Sequence, residues 1–152
     1  MIDRPLAAFL EEGLGIHIGT RDERLQPGGA RALAARVEED GLHLLVFVPD
    51  VAAARILPDL HSNGQAAVVF GRPEDDRSCQ VKGVFTGARA ATSDERGLVA
   101  AQWDGFLRQL ELIGIPRPST AGWTTWPATA IRLKATALFD QTPGPKAGTP
   151  LP

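Results

Sequence analysis

The chain has 152 residues, enough for one domain that buries its own core without a metal or a disulfide. Hydrophobic residues make up 43% and charged residues 22% of the sequence, which excludes a disordered or collagen-like chain. The formal net charge of −2 gives no electrostatic reason to expect binding to nucleic acid.

The sequence carries no sign of secretion, membrane insertion or metal binding. No apolar run is long enough to cross a bilayer, and no secretory signal precedes the first helix. The single cysteine, Cys79, cannot form an internal disulfide and is predicted to be a buried structural thiol, so we expect a cytoplasmic protein. His17, His43 and His61 lack the close spacing of a zinc site, and no metal is predicted.

Three segments are predicted to be helical, and the first two are short. Asp3 caps a helix that ends near Gly13, and Asp50 caps a second one. Pro58 is expected to interrupt the second helix, because a proline removes a hydrogen-bond donor and clashes with the preceding turn.

The third helix has the clearest pattern in the chain. Thr92 to Glu95 form a capping box. Apolar residues then recur at helical spacing and predict a stripe that faces the core. The stripe consists of Val99, Trp103, Phe106, Leu110 and Ile113. The loop 115–127 follows and contains Trp123 and Trp126.

Six strands are predicted, and short turns join most of them. Asp40-Gly41 and Asn63-Gly64 are typical of tight turns between or before strands. The predicted strands are 14–20, 30–37, 42–48, 65–70, 78–91 and 131–139. Because short turns join antiparallel neighbours, we expect a mainly β or α+β fold built on a small antiparallel barrel. Residues 1–140 would form the domain and residues 141–152 a Pro/Gly-rich C-terminal arm.

The order of several charged and polar residues carries a family resemblance. Arg31 and Arg36 bracket a six-residue segment, Arg55 lies in the helix after a buried strand, and Gln80 and Lys82 lie in a later strand. In this order the chain resembles the pyridoxamine 5′-phosphate oxidase superfamily of FMN-binding proteins, over roughly residues 14–142. The resemblance implies a six-stranded antiparallel split β-barrel with peripheral helices, and a homodimer that binds FMN at the subunit interface. In such a barrel Trp123 and Trp126 would cover the flavin, stack on a substrate or pack across the dimer interface.

The resemblance also implies roles for four of these five residues. Arg31 and Arg36 correspond to family residues that contact the FMN phosphate and the edge of its ring. Arg55 corresponds to a phosphate-binding lysine, and Gln80 to a glutamine that reaches the cofactor from the interface. Lys82 or Arg36 would add a second cation for the phosphate, which prefers several donors.

The chain departs from the family pattern at three positions. Pro49, Ala53 and Ala54 stand where the family has threonine, serine and arginine. The hydroxyl donors to the phosphate are therefore missing, which implies a reduced phosphate site. The chain also ends in a Pro/Gly tail without the Trp- and Arg-containing substrate segment of pyridoxamine 5′-phosphate oxidase, so we expect a small relative and not that oxidase.

Three functions remain open from the sequence. The first is an FMN-dependent oxidoreductase of unknown substrate, in which the cofactor carries the chemistry and no catalytic residue stands out. The second is a non-catalytic flavin- or ligand-binding module with a degraded phosphate site. The third is the use of haem or a deazaflavin, for which His17 or His61 would be the haem ligand.

Overall fold

The structure is a computed structural model that describes residues 1–152. It contains seven strands, three α-helices and one 3-10 turn. The strands are β1 (Gly15–Arg21), β2 (Pro27–Ala32), β3 (Ala34–Val37), β4 (His43–Pro49), β5 (Gln65–Gly71), β6 (Ser78–Ala90) and β7 (Ala128–Asp140). The helices are α1 (Arg4–Leu10), α2 (Asp50–Asn63) and α3 (Glu95–Leu112), and the 3-10 turn is Arg117–Thr120. None of the helices is both long and apolar enough to cross a membrane.

All strands join one antiparallel sheet in the order β2-β1-β5-β6-β7-β4-β3. Strands β2 and β3 lie at opposite ends of this order, yet only Leu33 separates them in the chain. The sheet therefore curls until its two edges meet at Leu33. The predicted antiparallel split-barrel architecture with peripheral helices is confirmed.

The predicted count of six strands was wrong, because the predicted strand 30–37 consists of two. Residues 27–32 pair with β1, whereas residues 34–37 pair with β4. Leu33 makes the transition: its N–H donates to the carbonyl oxygen of Phe47 at 2.8 Å, and its side chain is buried. The chain bends at Leu33 and exchanges strand partners there, which ends the first strand.

The interruption predicted at Pro58 was also wrong, because α2 runs unbroken from Asp50 to Asn63. The carbonyl of Ala54, which loses its helical donor at Pro58, belongs to an exposed residue and can be hydrated. Ile56 and Leu60, on either side of the proline, are buried in the barrel core and hold both halves of the helix against it.

Helix α3 follows its prediction closely at its start. The N–H of Thr92 donates to Glu95 Oε2 at 2.9 Å, and the N–H of Glu95 donates to Thr92 Oγ1 at 3.3 Å, which is the reciprocal pattern of a capping box. The apolar stripe is buried through Leu110. Ile113 lies beyond the helix end and is exposed, so its predicted place in the stripe was wrong.

The core has two parts. The larger part fills the barrel between the sheet, α1 and α2, and includes Cys79, which is buried as predicted. The smaller part lies between α3 and the strands β3, β4 and β7, around Phe47 and Phe106. After Asp140 the chain turns back, and Leu151 donates its N–H to the Leu138 carbonyl at 2.9 Å and packs against the larger core.

Candidate functional site

The outer face of β2, β1, β5 and β6 carries a row of four adjacent side chains. The pairing register places His17 opposite Arg31 on one side and opposite Val69 on the other, and Val69 opposite Gln80. Residues alternate along a strand, so Ile16 and Ile18 enter the core while His17 faces outward. We call Arg31, His17, Val69 and Gln80 the Arg31 row.

A second row beside it has almost no side chains. Gly29, Gly19, Ala67 and Lys82 lie next to one another across the same four strands. A β-carbon added at Gly19 would meet nothing closer than the Ala67 carbonyl oxygen at 3.8 Å, so the backbone there is open to a ligand. The Arg31 row and the small residues Gly29, Gly19 and Ala67 of the second row line an open groove of about 590 Å³, with glycine and alanine as its floor. We call this space the groove.

Arg31 is the charged residue at the wall of the groove. Its guanidinium carbon lies 4.5 Å from the ring centre of Trp123 and 5.5 Å from that of Phe106. It makes no ion pair and no hydrogen bond within the chain, and burial lowers its pKa from the ordinary value. A half-buried cation without a counterion costs desolvation energy, which an anionic ligand would offset.

A smaller cavity of about 300 Å³ adjoins the groove at Arg31. Trp103 and Trp123 form one side of it, and Pro49 and Val51 at the start of α2 form the other. The ring centres of the two tryptophans are 5.7 Å apart. Trp123 therefore covers the place where Arg31 meets the start of α2.

Trp126 lies elsewhere. It packs against the smaller core, and the guanidinium carbon of Arg96 is 5.4 Å from its ring centre. The two loop tryptophans thus differ in their surroundings, and only Trp123 borders the cavity.

Arg36 is held away from the groove by an internal ion pair. Its Nη2 donates to Glu95 Oε1 at 2.9 Å, and Arg89 donates to both oxygens of the same carboxylate at 2.7 and 2.8 Å. The hydrogen bond with Arg89, followed by that from the Thr92 backbone and by the charge of Arg36, lowers the pKa of the buried Glu95 carboxyl to about 2. Arg36 therefore shares the single Glu95 carboxylate with Arg89, and this contact directs its guanidinium to α3 and not to the groove.

The remaining sequence-predicted residues divide between the groove and the surface. Gln80 lines the groove together with Arg31. Lys82 lines a continuation of it beyond Gly19 and Ala67, with its Nζ 4.9 Å from the ring centre of Phe139. Arg55 is exposed on α2 and lines neither the groove nor the adjoining cavity. The structure thus brings Arg31, Gln80 and Lys82 to one face, and places Arg36 and Arg55 outside it.

His17 is the groove residue that sequence reasoning undervalued. Sequence reasoning favoured a structural role for it, with contact to a ligand or to haem as the alternatives, yet it lies between Arg31 and Val69 in the middle of the row. Strand alternation in 14–20 was the available signal, because it places residues 15, 17 and 19 on the face opposite the core. Partial burial and, second, the positive charge of Arg31 lower the pKa of the His17 imidazole below 6.5.

A second group of titratable side chains lies in the β3–β4 turn and has internal partners. Glu38 accepts two hydrogen bonds from Arg132, at 2.8 and 2.7 Å. Asp40 Oδ2 lies 2.6 Å from His43 Nδ1, and this contact is the main reason that the pKa of Asp40 falls to about 2. These contacts stabilise the turn.

No protein-family model and no curated protein matches this chain. Among solved structures, it is similar to HupZ of Group A Streptococcus, at 16% identity over 97% of this chain and 100% of that one, with a TM-score of 0.57. It is similar to an F420 reductase at 18% identity over 86% and 93% of the two chains, with a TM-score of 0.54. A putative pyridoxamine 5′-phosphate oxidase from Lactobacillus delbrueckii matches at 10% identity over 90% and 92%, with a TM-score of 0.55.

Sequence identities this low show the fold, not the activity. The fold is that of the split-barrel proteins related to pyridoxamine 5′-phosphate oxidase, as the sequence resemblance predicted.

Proposed function

We propose that this protein is a homodimeric split-barrel flavoprotein that binds FMN in the groove and transfers hydride or electrons to a small molecule. The observation that carries the proposal is the unpaired Arg31 guanidinium beside an open floor of glycine and alanine, on a fold that F420 reductase and a putative pyridoxamine 5′-phosphate oxidase share. The Arg31 guanidinium supplies an anion site, and the floor of glycine and alanine leaves room for a planar ring.

The groove residues fit a phosphorylated, planar ligand in a specific way. Arg31 supplies a charged donor for an anionic oxygen, and Lys82 supplies another at the far end of the face. The Gln80 carboxamide both donates and accepts hydrogen bonds, as the polar edge of a flavin ring requires. Gly19 and Gly29 allow the ring to approach the backbone.

The phosphate site differs from the family pattern in its donors. Pro49 has neither a hydroxyl nor an N–H, and Ala53 is buried in the core without a polar atom in its side chain. The Asp50 N–H at the start of α2 donates to the Pro127 carbonyl oxygen at 3.1 Å, which leaves the backbone N–H groups of Val51 and Ala52 as the free donors of the first turn beside the adjoining cavity. We therefore propose that backbone groups and Arg31 replace the missing hydroxyls.

FMN would supply the redox chemistry, and the chain's own residues would position it and exclude water. Trp123 stands over Arg31 and would shield the ligand's anionic end from solvent. His17 is the one imidazole that lines the groove, and burial followed by the charge of Arg31 lowers its pKa from the ordinary value.

The visible spectrum of the purified protein, before and after addition of FMN, tests this proposal directly. Flavin absorption that remains after desalting would support it. A Soret band would instead favour the haem alternative, with His17 or His61 as ligand. The absence of both bands after incubation with either cofactor would favour a ligand-binding module of another kind and contradict the proposal.

Replacing Arg31 by glutamine is expected to weaken FMN binding by about 1–3 kcal/mol, the usual range for a charged hydrogen bond. Quenching of flavin fluorescence during titration measures the change. Arg24→Gln is the matched control, because Arg24 is exposed and lies outside the groove. This control variant should bind FMN with the affinity of the original protein. Arg55→Gln tests the family-based role of Arg55, for which solvent exposure leads us to expect a smaller loss. Equal affinities for Arg31→Gln and Arg24→Gln would remove Arg31 from the site.

The outer sheet face is expected to pair with a second copy of the chain. Val69 and Val84 are exposed there at 36% and 47%, beside the flat second row of small residues. Closing this face against a copy of itself buries apolar area and turns the open groove into an enclosed one. Gel filtration with light scattering should give about twice the chain mass of 16.2 kDa.

The variant Val69→Lys should shift the equilibrium from dimer toward monomer, because it introduces a charge in the middle of the outer sheet face. Leu112→Lys is its control, since Leu112 is 69% exposed at the end of α3 and outside the face. A monomer at all micromolar concentrations would contradict the proposed interface.

A further inference from the structure

We propose that His17 is a ligand-binding residue of the groove that takes up a proton when an anionic group binds beside Arg31. This inference rests on the proposed function in one respect only, that the ligand presents a phosphate or a similar oxyanion to Arg31. It assigns His17 a role that the family resemblance does not.

The position of His17 supports direct contact with the ligand. It is paired in register with Arg31, so that the two side chains lie side by side on the outer face, about 5 Å apart at the backbone as in any strand pair. Its ring is exposed to the groove and makes no hydrogen bond within the chain. By contrast, His43 is bonded to Asp40, and His61 packs edge-on against Phe85.

The charges that face His17 are few. From β2 it faces Arg31, and from β5 it faces Val69 and Ala67, which do not titrate. Beyond β5, β6 contributes the neutral Gln80 and, on the next row, Lys82. Helix α3 contributes the ring of Phe106 near Gly15, and α2 packs on the opposite face, where Asp59 bonds Thr20.

Arg21 lies further along β1 on the outward face and is bonded to Gln65. The groove lining therefore holds no carboxylate, and its one permanent charge is the positive charge of Arg31.

An anion reverses this balance. Without ligand, partial burial and then Arg31 lower the pKa of His17, so the ring is neutral near pH 7. An oxyanion between the two residues neutralises the field of Arg31 and attracts the proton to His17. The pKa of His17 therefore rises on binding, and by linkage the ligand binds more tightly as the pH falls.

NMR titration of the His17 ring, with and without sulfate or FMN, measures the proton uptake directly. Sulfate is a useful probe because it stays a dianion over the whole range of histidine titration. We expect either anion to raise the pKa of His17 by about one unit, which corresponds to about tenfold tighter binding at acid pH. An unchanged pKa of His17 at saturating FMN would overturn the inference.

The variant His17→Gln separates this role from a structural one, because glutamine keeps hydrogen-bonding capacity and cannot titrate. The FMN phosphate itself titrates near pH 6, so the readout is the difference between the two proteins and not either curve alone. The dissociation constant of FMN for His17→Gln, divided by that for the original protein, should rise about tenfold when the pH is lowered from 8 to 5. His61→Gln is the control and should leave the pH dependence of FMN affinity unchanged.

The outcomes distinguish this inference from the proposed function. If FMN does not bind but sulfate raises the pKa of His17, the anion site stands and the flavin proposal fails. If FMN binds and the two pH profiles are parallel, the flavin proposal stands and the role of His17 is excluded. If sulfate and FMN both leave His17 unchanged, the groove is not the anion site.

Discussion

Gly13→Ala is expected to lower the free energy of unfolding by about 2–5 kcal/mol, a large part of the stability of a domain of this size. Gly13 has a φ of +88°, which an alanine adopts only with strain. Its new β-carbon would clash with the Gln102 carbonyl oxygen and lie 3.2 Å from the Gly105 Cα. Both neighbours are backbone atoms of α3, so no flexible side chain can move aside and the helix itself must shift.

Urea denaturation measures this effect. The matched control is Gly97→Ala, which changes a glycine within α3 itself. A β-carbon at Gly97 would meet nothing within 4 Å, so alanine there should raise stability by about 0.5–1 kcal/mol through its helix propensity. If the free energies of unfolding of Gly13→Ala and the original protein agree within about 0.5 kcal/mol, the backbone of α3 does not pack directly against the backbone of Gly13.

The same substitution should also affect the groove. The side chain of Gln102 bonds the backbone of Ala35 in both directions, at 2.9 and 2.8 Å, and so ties α3 to β3. One turn further, Phe106 lies 5.5 Å from Arg31. A shift of α3 therefore moves a wall of the site, and folded Gly13→Ala protein should bind FMN more weakly, whereas Gly97→Ala should not.

The elements that depend on local signals could be predicted from the sequence. The capping box at Thr92 and the spacing of Val99, Trp103 and Phe106 identified α3 and its buried side, because both the cap and the stripe are formed within one segment. Alternation likewise identified most strands. The break at Leu33 was not predictable in this way, since it arises from a change of partner between β1 and β4.

The candidate site was only partly accessible to sequence reasoning for the same reason. Arg31 and Gln80 are 49 positions apart in the numbering, and they line one groove because β1 and β5 join their strands into one sheet face. Arg36 has the right charge at the right spacing, but its partner Glu95 lies on α3 and takes it out of the groove. Charge and spacing in the sequence therefore predict candidate site residues, and the order of the strands in the sheet determines which of them line the same groove.

Glu95→Gln is expected to lower the free energy of unfolding by about 2–3 kcal/mol at pH 7. The buried carboxylate accepts hydrogen bonds from Arg36, Arg89 and the Thr92 backbone, and so joins β3, β6 and α3. Glutamine can still accept one of these bonds, but it carries no negative charge to attract the two guanidinium groups. Both arginines are about half exposed and can be hydrated, which keeps the loss below that of a fully buried ion pair.

The pH dependence of this loss identifies the carboxylate as its cause. The folded pKa of Glu95, about 2, lies below its ordinary value of 4.5, so its contribution to stability is present above pH 4.5 and is lost as the pH falls through about 2. The stability difference between the original protein and Glu95→Gln should therefore be constant from pH 7 to pH 5 and shrink toward pH 2. Glu111→Gln is the control, because Glu111 is exposed and bonds only Arg117, and it should change stability by less than about 0.5 kcal/mol. A Glu95→Gln difference that persists unchanged at pH 2 would mean that packing, and not charge, makes Glu95 stabilising.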